Sequence, residues 1–186
     1  MAKHICPWWL GYLLASPVRR LLHDPATILA PYVGEGMTVL EPGPGMGFFT
    51  LEMARRVGAS GRVIAVDLQP RMLAGLRRRA ARAGLLDRLD LRTATPDSLC
   101  ISDLSGVVDF ALAIAIVHEL PAAAPFFREV ARALKTGGYL LLGEPSGHVD
   151  ATAFEAEVQV ASEAGLRATT RPAIRRSRTA LLEKWL

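Results

Sequence analysis

The chain has 186 residues, 51% of them hydrophobic and 22% charged, the balance of a globular domain with a single core. No apolar run reaches the roughly 18 residues of a membrane-crossing helix, so no membrane span is expected. The formal charge of +4 permits anionic partners without requiring them, and Cys6 and Cys100 make no disulfide framework, so a reduced, cytoplasmic protein is the expectation.

The opening stretch MAKHICPWWLGYLLAS mimics a short signal peptide, with a lysine, an apolar run and small residues. Pro7, the Trp8–Trp9 pair and the lack of a clean small-x-small site speak against cleavage. Residues 1–23 are set apart as an aromatic, apolar segment whose default is packing on the domain, the alternatives being a lid over an apolar acceptor pocket, a dimer seam or a contact with a membrane surface. Residues 24–186 are read as one domain.

Asp24-Pro25 is an N-cap followed by proline in the first helical position, opening a helix to about Tyr32. MTVLE (37–41) is continuously apolar, as a strand buried on both faces must be. A glycine loop follows. GFFTLEMARRVG then has helical spacing, with Phe48, Leu51, Met53, Ala54 and Val57 inward and a stop at Gly58. RVIAVD (62–67) is a second strand, and a helix over 69–84 turns Met72, Leu73, Leu76 and Ala80 to the core and its arginines outward. Strands are expected at 88–93 and 107–117, a helix over 122–138 ending in Gly137–Gly138, and a strand at 139–144. A helix over 151–165 and two arginine-rich strands at 166–172 and 178–184 close the chain. This alternation means an α/β domain with a mostly parallel sheet.

In VLEPGPGMGFFT (39–50), glycines stand at 43, 45 and 47 between an apolar strand and a helix. Such a turn tolerates positive φ and lets a ligand approach the backbone, while the helix N-terminus offers free N–H groups. A dinucleotide cradle would read G-x-G-x-x-G. Here the third glycine comes one residue early and Phe48 takes its place, which disfavours a nicotinamide oxidoreductase. Glu41 just before the loop suits a cationic amino group. Asp67, ending the second strand, suits the two hydroxyls of a ribose. An amino acid joined to an adenosine fits this pair of acids better than a pyrophosphate. Asp67 can also cap the helix that begins near Pro70. Asp109, inside the fourth strand, is read as a structural partner.

LEPGPGMG, Asp67 in VIAVD, VDFALA and LKTGGYLLL together resemble the class I S-adenosylmethionine-dependent methyltransferases, over about Asp24 to Leu182. The resemblance implies a Rossmann-like, mostly parallel seven-stranded sheet with helices on both faces and the last strand antiparallel. It implies S-adenosylmethionine as cofactor. Gly43, Gly45 and Gly47 form the loop under the methionine portion, and Glu41 anchors that region. Asp67 holds the ribose and Leu68 contacts the adenine. Thr95 stands where relatives carry an acid beside the adenine, and the backbone of Ala113 meets the methionine portion.

Methyl transfer from a sulfonium needs a nucleophile aligned with the methyl group and, for a hydroxyl or thiol, a base. AIVHELP follows the fourth strand, and His118, with Glu119 beside it, is the candidate catalytic pair. The alternative for His118 is a helix cap or a backbone hydrogen bond. Glu144 and His148 are read first as loop polar groups, with the same pocket as the alternative. His4 and Cys6 are too sparse a donor set for a metal site, and none is assigned. The acceptor is expected to be a small apolar or aromatic molecule, with the oligomeric state open and a homodimer included. Nucleic acid is the rival acceptor, through Arg167, Arg171, Arg175, Arg176 and Arg178, but no Asn/Asp-Pro-Pro-aromatic box follows the fourth strand. A non-catalytic, cofactor-binding partner subunit is the other rival.

Overall fold

The computed structural model describes residues 23–185, so the N-terminal aromatic segment, with His4, Cys6 and the tryptophan pair, lies outside the described residues. The fold is a seven-stranded, mostly parallel sheet. The described residues up to Ala94 form one compact unit and those from Thr95 a second.

The first unit begins with α1 (Pro25–Leu29), whose cap Asp24 accepts from the N–H groups of Ala26 and Thr27. β1 (Thr38–Pro42), β2 (Arg62–Asp67) and β3 (Leu89–Thr93) are parallel, with Leu40 opposite Ile64 and Asp67 opposite Thr93. Val39, Leu40, Val63, Ile64 and Ala65 are fully buried, as their unbroken apolar runs require. α2 (Thr50–Arg56) buries Leu51, Met53 and Ala54; α3 (Pro70–Arg82) buries Met72, Leu73, Leu76 and Ala80. Gly58 and Gly84 follow these helices with φ of +68° and +66°, the left-handed close that glycine makes without a Cβ clash.

In the second unit β4 (Val108–Ile114) runs parallel to β5 (Leu134–Pro145), which pairs antiparallel with β7 (Ser177–Lys184); β7 then pairs antiparallel with β6 (Leu166–Thr170). α4 (Ala123–Ala133) buries Phe126, Phe127 and Val130. α5 (Ala151–Glu163) starts at Asp150, whose carboxylate accepts from Ala153 N at 2.8 Å.

The first helix ends at Leu29 and β6 at Thr170, each short of expectation, and two larger differences have a visible cause. The helix expected over 122–138 ends at Ala133. Leu134 turns extended (φ −64°, ψ 143°) because its fully buried side chain joins the sheet opposite Val108. Gly137–Gly138 then belongs to a bulge rather than a helix cap, since the next pair in register is Phe110 with Tyr139. A Cβ on Gly138 would lie 2.9 Å from the Lys135 carbonyl and 3.1 Å from that of Asp109. β4 stops at Ile114, three residues early. Ala115 takes φ +59° and throws the chain into a 3-10 turn at Val117–Glu119.

Candidate functional site

In the first unit the glycine loop is built almost wholly from backbone. Gly43, Gly45 and Gly47 have φ of +71°, +54° and +85°, so each needs the freedom that only glycine has at low cost. They differ in purpose. A Cβ on Gly47 would come within 2.3 Å of Leu76 Cδ1, so this glycine lets α3 pack against the loop. A Cβ on Gly45 would meet no heavy atom within 4 Å, so here the bare backbone faces open space. Gly43 N donates to Val66 O at 2.8 Å and Gly47 N to Pro44 O at 2.9 Å, so two of the three glycine amides hold the loop itself.

Asp67 joins the loop to β2. One carboxylate oxygen accepts from Gly45 N at 3.2 Å and the other from Gln69 N at 2.8 Å. It thus orders both the loop and the entry to α3, although Gln69 is the residue at the cap position. Glu41 is buried, and the Thr50 hydroxyl at the start of α2 donates to its carboxylate. Thr50 escaped the sequence reading because it sits inside the apolar pattern of the helix. So did a clamp from α3: Arg79 donates to the Met46 carbonyl, and a Cβ on Gly75 would press on Met46 Cγ at 3.0 Å. Leu68, next to Asp67, is 37% exposed, unusual for a leucine bordering a buried strand. An open backbone cradle, two acids and an exposed apolar platform fit the parts of S-adenosylmethionine.

The second unit carries the other expected residues. Ala113 is buried in β4 opposite Leu142. Thr95 is exposed in a tight turn, its N–H donating to Ser98 O at 2.9 Å, and Glu129 fixes that turn by accepting from Leu99 N. His118 stands in the Val117–Glu119 turn, with the strained Ala115 just upstream. Its Nδ1 meets a carboxylate oxygen of Glu144, which is fully buried on β5 and accepts from Val117 N at 2.8 Å through the other oxygen. His148 tilts toward it with ring centroids 5.7 Å apart. Glu144 and His148, read from sequence as loop groups, are thus gathered around His118. The Glu144 hydrogen bond raises the pKa of His118 above its ordinary 6.5 against the lowering effect of burial, and the charges of Glu144, Glu119 and Glu157 add to the rise. Asp109 pairs with Lys135, a structural partnership. No group of three or more His, Cys, Asp or Glu among the described residues could hold a metal ion.

A mostly parallel seven-stranded sheet with β7 antiparallel, a glycine turn into a helix and an acid ending the second strand, is the architecture of the class I methyltransferase fold. Residues 39–138 match the family model for the methyltransferase domain, and the chain belongs to that family. S-adenosylmethionine is the cofactor of this class. The ubiquinone/menaquinone biosynthesis C-methyltransferase of Idiomarina loihiensis is 32% identical over 127 residues, 68% of this chain and 49% of that protein. The arsenite methyltransferase of Halobacterium salinarum is 29% identical over 59% of this chain and 27% of its own length. The chain therefore spans half or less of these relatives. An S-adenosylmethionine-dependent methyltransferase from Aquifex aeolicus shares the fold at a TM-score of 0.86 and 23% identity, over 97% of this chain and 100% of that one.

Proposed function

We propose that this chain transfers a methyl group from S-adenosylmethionine to a small apolar or aromatic acceptor. The observation that carries this is Gly45, where a left-handed backbone facing open space has its amide held by the acid that ends β2. Gly43, Gly45 and Gly47 would lie under the methionine portion, and Glu41 would face its ammonium group. Asp67 would hold the ribose, Leu68 and Thr95 the adenine, and the Ala113 backbone the methionine portion. When bound, the cofactor supplies an electrophilic methyl group and leaves as S-adenosylhomocysteine with the bonding electron pair. His118, with Glu119 beside it, handles the acceptor. The small-molecule reading gains support from the arginines proposed for phosphate. Arg171 pairs with Glu155 at 2.7 Å, Arg167 with Glu183 at 3.6 Å, and Arg178 donates to Val149 O, so three of those five are matched within the fold.

The test is transfer of labelled methyl from S-adenosylmethionine to a panel of small phenols, quinols and amines, with a short RNA alongside. Labelled small product from wild type, and at least tenfold less from Gly45→Ala, is expected. Labelled RNA with no small product would move the reading to nucleic acid. Bound cofactor with no product on any acceptor would leave a non-catalytic partner subunit.

A further inference from the structure

We propose that Glu144 is a positioning residue that holds His118 through Nδ1 and leaves Nε2 as the base, so that the acceptor is a molecule that must lose a proton when methylated. Phenols, enols and thiols belong to that class; thioethers and tertiary amines do not. This rests on the methyltransferase reading above and deepens it.

A buried charge is costly. A carboxylate with no exposed surface is tolerated only when its oxygens are bonded. Glu144 uses one oxygen on Val117 N and the other on His118 Nδ1. Capping Val117 alone would need one neutral oxygen, which glutamine supplies equally well. The charge is what a purely structural role does not require. Its effect falls on the imidazole, where it fixes the ring orientation and puts the neutral tautomer's proton on Nδ1. The His118 side chain keeps 21% of its surface exposed while its partner keeps none. Glu144 from β5 bonds the ring and His148 from the segment between β5 and α5 lies beside it, while the charges of Glu119 in its own turn and Glu157 on α5 act on it from farther off. Carboxylates outnumber imidazoles there, and a cation on His118 is stabilised by its surroundings.

Atoms and charge then balance simply. The acceptor's heteroatom forms its new bond to the methyl carbon with a lone pair, and the carbon–sulfur bond would break with its electron pair going to the sulfur, which leaves uncharged as S-adenosylhomocysteine. Its bond to hydrogen breaks, the electrons stay on the heteroatom, and the proton goes to His118 Nε2. The imidazolium forms against Glu144 and later releases the proton to water. A thioether brings no such proton, and the dyad would have nothing to do.

The test compares wild type with Glu144→Gln and His118→Gln in the full chain. The probes are phenol, thiophenol and thioanisole, with cofactor binding followed by calorimetry and the His118 ring titration by NMR. In Glu144→Gln the His118 midpoint is expected to fall, and the acid limb of kcat/KM for phenol to fall with it, while KM holds. His118→Gln is expected to lose that limb and roughly 10²–10⁴ in kcat. Thioanisole is expected to stay unmethylated. An unmoved His118 midpoint in Glu144→Gln, an unchanged acid limb in His118→Gln, or thioanisole turning over as fast as phenol would each overturn the proposal. Bound cofactor with neither phenol nor thiophenol turned over would overturn its acceptor half. Absence of cofactor binding sinks the methyltransferase reading instead, while the NMR titration still decides whether Glu144 governs His118.

Discussion

The glycine loop of the first unit and the His118 turn of the second are built by opposite means. The loop is made of backbone: left-handed glycines at 43, 45 and 47, two of whose amides are bonded to main-chain carbonyls. The turn is made of side chains, a buried glutamate and a histidine 26 residues apart in sequence. A backbone-built site writes itself into consecutive residues, because only glycine fits each special φ. A side-chain-built site needs only one residue on each of two strands' ends, and any fold-level shift changes which ones meet.

The largest effect that would break this contrast is at Gly47. Gly47→Ala sets a Cβ 2.3 Å from a buried leucine at φ +85°. Left-handed strain and overpacking together should cost about 2–4 kcal/mol, measured by denaturant unfolding. Gly45→Ala carries only the strain, about 1–2 kcal/mol, and should instead lose cofactor affinity. Equal loss of stability at both positions would contradict the division of labour between them.

Asp67→Ala removes a charged acceptor from Gly45 N and Gln69 N, and should weaken S-adenosylmethionine roughly 10–100-fold by calorimetry. For the side-chain site, pH is the sharper probe. The folded pKa of His118 is raised, so the His118–Glu144 attraction is fully present below the ordinary 6.5 and is lost as pH rises through the raised value. Glu144→Gln should therefore destabilise the fold more at about pH 5.5 than at about pH 9. A penalty that does not vary with pH would mean that Glu144 acts only as a cap. Lys135→Ala gives the smallest effect. Its partner Asp109 is only part-buried and Lys135 is half exposed, so thermal unfolding should register less than about 1 kcal/mol.

How far the sequence could be read follows the same contrast. The strands through 37–41 and 62–67 were legible because a strand covered on both faces has to be continuously apolar. The cradle was legible because Glu41, the glycines and Asp67 occupy strand ends set by those runs. Thr50 was hidden, since a threonine at a helix start serves many ends. Gly137–Gly138 misled, because a glycine pair after a helical pattern reads as a cap. The buried Leu134 settled the helix end instead, and the glycines made room for a bulge. Glu144 sat in view beside Pro145, but nothing local says that its carboxylate turns to Val117 and His118. That is decided by the parallel pairing of β4 with β5, which sets Ile114 against Gly143 and brings the two strand ends together.

Whether the cradle holds S-adenosylmethionine is decided by thermal unfolding with S-adenosylmethionine, S-adenosylhomocysteine and NAD, on wild type and Asp67→Ala. Ligand at 100 times its Kd should add about 2.7 kcal/mol, or roughly 5–10 °C for a chain of this size. That shift is expected with the first two ligands only, and a smaller one in Asp67→Ala. No shift with either, or a shift with NAD alone, would contradict that assignment.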